Sequence, residues 1–163
     1  MIRRSFAFTA VSAFIVLPRL AHAADSVSGR YAAQHKETKL AFFSARPGSD
    51  EGKLVIVATE KDHSASKDPA KDGTFGKFGP AVIISLAKAD GKVTEVLLVH
   101  PDFPQSPVTV VGSIKGLDVK IAGDRIEGHF TSNGAKTMFE GRPYETVFDV
   151  DLKISAQIQP KSA

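Results

Sequence analysis

The stretch from Phe148 to Ile158 alternates apolar and polar residues without interruption. This period of two is typical of a β-strand that buries one face. A helix would spread the same apolar residues around its circumference, so the pattern argues against a helix. The residues predicted to face a core are Phe148, Val150, Leu152, Ile154, Ala156 and Ile158. Six such side chains need an opposing layer, which predicts a packed β fold organised around this strand.

Residues 81–99 are predicted to form a hairpin that turns at Asp90-Gly91. A three-residue loop, 89–91, pairs Lys88 with Lys92 and gathers the apolar residues on one face. That face would carry Val82, Ile84, Leu86, Val96 and Leu98. The other face would carry Ile83, Leu97 and Val99. Since both faces are apolar, the hairpin is predicted to be central in its sheet or covered on its second face.

The rest of the chain offers short strands separated by clusters of Gly, Pro, Asp and Ser. Further strands are predicted at 29–33, 40–45, 53–59, 108–111, 114–121 and 125–131. No internal repeat and no convincing helix is visible. The sequence therefore predicts an all-β domain of eight or nine strands, either an antiparallel β-sandwich or a small up-and-down β-barrel.

The first 23 residues have the pattern of a cleaved secretory signal peptide. Arg3 and Arg4 precede an apolar run that is shorter than the ~20 residues of a membrane-spanning helix. A small-x-small sequence, 21–23, marks the expected cleavage site. The arginine pair is also compatible with twin-arginine export. We expect a soluble bacterial protein of residues 24–163 that forms a single domain in the periplasm or outside the cell, exported by the Sec or the twin-arginine route.

Charge and cysteine content exclude several function classes for the chain after cleavage. The full chain has 21 Lys and Arg against 18 Asp and Glu, and residues 1–23 contain three of the arginines and no acid. The remainder therefore has 18 of each, without the basic excess of a nucleic-acid binder or the polybasic cluster that binds anionic lipid. With no cysteine, it has no disulfide, thiolate metal site or cysteine nucleophile. We expect neither nucleic-acid binding nor membrane insertion.

Residues 60–73 form the longest polar interruption between predicted strands. Their charges alternate in sign and they contain little that is apolar, so a solvated loop is the favoured interpretation. The alternative is a cation site formed by Asp62, Asp68 and Asp72. Their spacing does not match a calcium-binding loop, and neighbouring lysines would oppose a cation.

Catalytic and metal-binding motifs are not found in the sequence. The four histidines after residue 23, His35, His63, His100 and His129, include no His-x-His or His-x-x-x-His pair. No Gly-x-Ser-x-Gly motif or phosphate-binding loop is present. Asp149 and Asp151 would share one strand face, and with Lys153 in the same row a charged outer surface is the favoured interpretation. We predict no catalytic residue, no metal and no cofactor, and leave open whether the protein is an enzyme.

Two loops rich in Phe, Pro and Gly flank the predicted hairpin at the end opposite its turn. Because antiparallel strands bring both flanks to one edge, the loops should lie side by side. The candidate binding residues there are Phe75, Phe78, His100, Asp102 and Phe103. The phenylalanines could plug the core, or they could form a binding rim on a rigid β scaffold.

Two functions remain open on this basis. The first is a non-catalytic interaction module that binds a protein or envelope component, which we favour. The second is a lipocalin-like barrel that carries an apolar small molecule. Gly29-Arg30-Tyr31 resembles the Gly-x-aromatic sequence of the first lipocalin strand, but this likeness covers three residues and identifies no family.

Overall fold

The computed structural model describes residues 25–160. Residues 1–24, which include the predicted signal peptide, and residues 161–163 lie outside the described part. The strands are β1 (Ser26–Ala33), β2 (Lys36–Thr38), β3 (Phe42–Pro47), β4 (Lys53–Thr59), β5 (Ala81–Ala87), β6 (Val93–Val99), β7 (Val108–Val110), β8 (Lys115–Ala122), β9 (Arg125–Thr131), β10 (Lys136–Met138) and β11 (Thr146–Gln157). One helix, α1 (Pro69–Thr74), lies between β4 and β5. The prediction of an all-β chain is confirmed for these residues.

The strands form two antiparallel sheets that do not close into a barrel. The first sheet has the order β2-β1-β11-β9-β8, and β10 pairs with one end of β11. The second sheet has the order β3-β4-β5-β6-β7, in which each strand pairs with its neighbour in sequence. The structure thus decides between the two predicted architectures: two open sheets are present and the barrel is wrong.

The alternation in β11 is confirmed by its burial. Phe148, Val150, Leu152 and Ala156 are each at most 1% exposed, and Ile154 is 3% exposed. They pack in one core with residues of the second sheet, including Ile56, Ile84, Leu86, Val96 and Leu98. The core thus lies between the sheets, as a strand with one buried face requires.

The predicted hairpin is β5-β6, and its register is correct over most of its length. Ser85 pairs with Glu95, and Ala81 pairs with Val99, as the three-residue loop requires. A bulge then shifts the register, so that Leu86 pairs with Val93. The predicted pairing of Lys88 with Lys92 is therefore wrong. The apolar face is unaffected, because the shift begins only beyond its last cross-strand pair.

The strand count was underestimated because two three-residue strands were missed. The sequence predicted eight or nine strands, whereas residues 25–160 contain eleven. The missed strands are β2 and β10, which are too short to show a period of two. Each pairs with only one neighbour, β1 and β11 respectively.

Residues 60–73, which were predicted to be a solvated loop, differ most from the prediction, and no helix was predicted there. They include most of α1, which contacts β4, β5 and β6 on the face of the second sheet turned away from the core. A Cβ placed on Gly73 would lie 3.5 Å from Ile83 Cδ1 and 3.9 Å from Val57 Cγ1. The helix therefore lies close against the sheet and covers part of its apolar outer face. This explains why Ile83 and Val99 are apolar although they point away from the core.

Candidate functional site

The five predicted binding residues lie at one end of the second sheet but do not form one cluster. His100 and Phe103 are 5% exposed and contact each other, with ring centroids 5.8 Å apart. Phe78 is 8% exposed, and its aromatic contact is with His63 at 5.8 Å. Phe75 is 78% exposed. The two loops do lie side by side, since both line one cleft. The sequence did not predict the separation of the rings, because it does not show that Phe103 turns into the core while Phe75 stays in water.

His100 lies on the core side of the sheet and is held as a neutral imidazole. Its Nδ1 accepts the backbone N–H of Asp102 at 3.1 Å, and its Nε2 lies 3.1 Å from Thr38 Oγ1. Since Nδ1 is an acceptor, the proton is on Nε2 and is donated to Thr38. Burial lowers the pKa of His100, and the nearby Asp102 carboxylate only partly opposes this effect. The arrangement ties the 100–103 turn to β2.

Asp102 is a surface residue with an ion-pair partner. Its carboxylate lies 2.9 Å from Lys36 Nζ, and its side chain is 34% exposed. The hydrogen bond from Lys36 lowers the pKa of Asp102, and the charge of Lys36 acts in the same direction. Because Lys36 is well exposed, water screens this pair and its contribution to stability is small.

A second buried histidine, His63, belongs to a polar cluster that the sequence did not predict. Nε2 of His63 lies 3.0 Å from Ser44 Oγ, and Nδ1 lies 2.6 Å from Thr59 Oγ1. Thr59 also donates its hydroxyl hydrogen to the carbonyl of Lys61 at 2.8 Å. Thr59 must therefore accept the proton of Nδ1, which leaves Nε2 to accept from Ser44. Residue spacing in the sequence gives no signal for such a cluster.

Ser44 and His63 share the hydrogen bond that joins a catalytic serine to its general base, but their surroundings differ from those of an active site. Ser44 is 6% exposed and His63 is 3% exposed, so a substrate carbonyl has no access to them. The third member is the neutral Thr59 instead of a carboxylate. Burial lowers the pKa of His63 and keeps the ring neutral. The cluster therefore anchors the 60–79 segment to β3 and β4.

Two cavities in the described chain lie on either side of α1, outside the core. The first, which we call the Phe75 cleft, has a volume of about 600 Å³. Its lining includes Phe75, Pro80, Val99, Pro101 and Pro107, with Glu60 and Lys61 also contributing. Of the five predicted binding residues, only Phe75 lines it. The other four predicted residues lie outside its lining.

The second cavity, which we call the outer groove, has a volume of about 610 Å³. It runs between α1 and the β3-β4 turn, over the outer face of β4, β5 and β6. Its apolar floor consists of Val55, Val57, Ile83 and Leu97. Arg46, Lys67, Asp68 and Lys71 supply its charged residues. The sequence analysis did not identify this groove, because its two sides are far apart along the chain.

The aspartates of the 60–73 segment have separate partners and do not converge. Asp62 accepts the N–H of Ser64, Asp68 accepts the N–H of Lys71, and Asp72 binds Ser66 and Lys77. Between residues 25 and 160, no three His, Cys, Asp or Glu side chains are arranged to hold a metal ion. In the same range, no helix has the length and hydropathy needed to cross a bilayer.

The comparisons with known proteins add no family to this description. Protein-family models, curated proteins and solved structures were each compared with the chain, and none of them matches significantly. The Phe75 cleft and the outer groove are therefore the features from which a function can be inferred.

Proposed function

We propose that this chain is a non-catalytic interaction module of the bacterial cell envelope, exported to the periplasm or beyond it. We further propose that it binds a protein partner through the Phe75 cleft. The observation that carries the proposal is the 78% exposure of the Phe75 ring beside a cleft. An aromatic side chain in water gains free energy when a partner buries it, and such residues dominate many protein interfaces.

Phe75 is held in place by ordered neighbours. Its backbone N–H caps the end of α1 by donating to the carbonyl of Lys71 at 3.4 Å. Phe78, three residues later, is buried against His63. The backbone that carries the ring is therefore already ordered, and less conformational entropy is lost on binding than from a mobile loop.

The cleft walls favour a protein over a carbohydrate partner. Pro101 and Pro107 present exposed apolar surface without side-chain hydrogen-bond donors for sugar hydroxyls, and the other apolar lining residues, Pro80 and Val99, are buried. Glu60 and Lys61 are exposed at the cleft and offer one charge of each sign to a complementary polar rim. The absence of an accessible nucleophile–base pair among the described hydrogen bonds supports binding without catalysis.

Site-specific photo-crosslinking in the native host tests this proposal. A benzophenone amino acid replaces Phe75 in one variant and Phe139, which is 43% exposed, in the control. We expect position 75 to form an adduct with one defined envelope protein, and position 139 not to form it. A partner that still co-purifies with Phe75→Ala, or identical adducts at both positions, would contradict the proposal. N-terminal sequencing of the protein isolated from the host tests the proposed export. Cleavage of the signal peptide predicts a chain that starts at Ala24.

The carrier of an apolar small molecule remains a second candidate, supported by a different observation. Because the sheets do not close into a barrel, the enclosed lumen of a lipocalin-like carrier is missing from the described fold. The outer groove nevertheless offers an apolar floor of about the size that small ligands occupy. A small molecule would therefore bind on the outside of the second sheet and not between the sheets.

A further inference from the structure

The outer groove is uncovered at one end and covered at the other by α1. Val57 and Ile83 are each 3% exposed, because Gly73 of the helix lies against them. Further along the sheet, Val55 and Leu97 are only half-buried, although the groove floor continues through them. The floor is continuous because Val57 pairs with Ile83 and Ile83 pairs with Leu97 on adjacent strands. An elongated apolar surface thus begins beneath the helix and leads outward.

The charges around the groove are predominantly positive. Arg46, Lys67 and Lys71 contribute three cations, against the single carboxylate of Asp68. Asp68 accepts the backbone N–H of Lys71 at 3.0 Å, which occupies one of its oxygens in capping α1. Excess positive charge at an apolar groove attracts a ligand that carries a negative group.

The cations differ in how they are held. Arg46 donates to the carbonyl of Lys67 at 3.2 Å and to Gln159 Oε1 at 3.0 Å, so it links β3 to the 67–71 segment. Lys67 and Lys71 are exposed, and among residues 25–160 no carboxylate lies within 4 Å of either ammonium group. Their long side chains are able to reach a ligand at the mouth of the groove.

We propose that the outer groove binds a single-chain anionic amphiphile, of the chemical class of a straight-chain carboxylate. The alkyl chain lies on the half-buried Val55 and Leu97 and ends against α1, where the helix already covers Val57 and Ile83. The carboxylate lies among Lys67, Lys71 and Arg46. The groove matches both halves of such a ligand. Its apolar floor buries the alkyl chain, and its positive rim binds the carboxylate. This site is separate from the Phe75 cleft, so it does not depend on the proposed protein partner.

Titration of the purified chain with dodecanoate below its micelle concentration tests the proposal. We expect saturable one-to-one binding, with the amide signals of Val55, Ile83 and Leu97 shifting in NMR spectra. Decanoate should bind more weakly, by about fourfold in Kd for each methylene removed. Dodecanol, which has the same chain length but no charge, should bind about tenfold more weakly than dodecanoate.

Matched lysine variants separate the groove from non-specific binding. Lys67→Gln/Lys71→Gln should weaken dodecanoate binding about tenfold and leave dodecanol binding unchanged. Lys115→Gln/Lys120→Gln, on β8 of the first sheet, removes the same charge and should change neither affinity. The lysines are all exposed, so both double variants should fold.

Two results would overturn the proposal. One is the absence of saturable dodecanoate binding to the wild-type chain. The other is an equal loss of affinity in the two double variants, which would mean that net charge alone attracts the ligand. Phe75→Ala should leave dodecanoate binding intact. A failure of the groove is therefore distinguishable from a failure of the Phe75 cleft.

Discussion

Nε2 of His63 lies 3.0 Å from Ser44 Oγ, which joins the segment after β4 to the edge strand β3. The same ring contacts Thr59 Oγ1 through its other nitrogen at 2.6 Å. Because both ring nitrogens are bonded in a buried site, the neutral imidazole is fully satisfied there. This side chain is therefore one of the contacts that hold residues 60–79 on the sheet, together with α1 and the bond from Arg46 to Lys67.

Replacing His63 by alanine should lower the free energy of unfolding by about 1–3 kcal/mol, since it leaves the Ser44 hydroxyl without its partner in a buried site. Lys67→Ala, an exposed change in the same segment, should stay within about 0.5 kcal/mol. Urea unfolding at pH 8 measures both. Equal stability of the two variants would show that the histidine cluster does not hold the segment.

Acidification should destabilise the protein between about pH 7 and pH 5. Burial lowers the pKa of both His63 and His100 in the folded state, whereas the unfolded chain takes up protons near pH 6.5. The unfolded state therefore binds more protons in this range, and the stability present above pH 6.5 is lost as pH falls towards the folded-state pKa values. The nearby charged groups are Asp62 and Arg46 for His63, and Asp102, Lys36 and Glu60 for His100.

Urea unfolding at several pH values measures this dependence. His63→Gln/His100→Gln should be less stable at pH 8 but should show a flatter dependence between pH 7 and pH 5. An equally steep decline in the double variant would place the responsible groups elsewhere.

The three phenylalanines near the predicted rim should respond differently to truncation. Phe78→Ala and Phe103→Ala should each cost about 3–5 kcal/mol, as expected for buried aromatic residues. Phe75→Ala should change stability by no more than about 0.5 kcal/mol, because its ring is already in water. Thermal and urea melts of the three variants test this ranking. A large loss for Phe75→Ala would assign that ring to the fold instead of to binding.

Substitutions on the two faces of β11 should differ in their effect on stability, and the two aspartates of the outer face should differ from each other. Leu152→Ala should cost about 2–5 kcal/mol. Asp151→Asn should stay within about 0.5 kcal/mol, since the Asp151 side chain is 50% exposed. Asp149→Asn should cost about 1 kcal/mol, because this carboxylate accepts hydrogen bonds from Ser132 Oγ and Arg30 and its side chain is only 13% exposed. Equal small losses for both aspartates would restore the simple charged-surface interpretation.

The alternation of apolar and polar residues correctly predicted the strands that bury one continuous face, such as β11 and the β5-β6 hairpin. The register of β5-β6 followed because slipping by one residue would have exposed Ile84 and Leu98. Close to the turn the bulge changes the partner of Leu86 to the half-buried Val93, but Leu86 is buried in either register. The other residues affected, such as Lys88 and Lys92, are exposed. Burial therefore discriminates only weakly between the registers, and the bulge was not predicted.

The candidate site was less predictable because long-range contacts create it. The hydrogen bonds among His63, Ser44 and Thr59 form only after β3 and β4 have paired. From the sequence alone, His63 is therefore predicted to lie at the surface. The outer groove depends in the same way on where α1 lies on the sheet. Phe75 was identifiable as a candidate from its Gly-rich and Pro-rich surroundings, but its exposure was not.

The pairing of β1 with β11 joins residues 26–33 to residues 148–155 at the centre of the first sheet. The second sheet, in contrast, forms from five strands that follow one another in sequence. Closing a long loop costs more entropy than closing a short one, and distant pairings form more slowly. During folding the chain can therefore complete its second sheet first. The first sheet needs the pairing of two distant segments, so β1 is without its main partner until this late step.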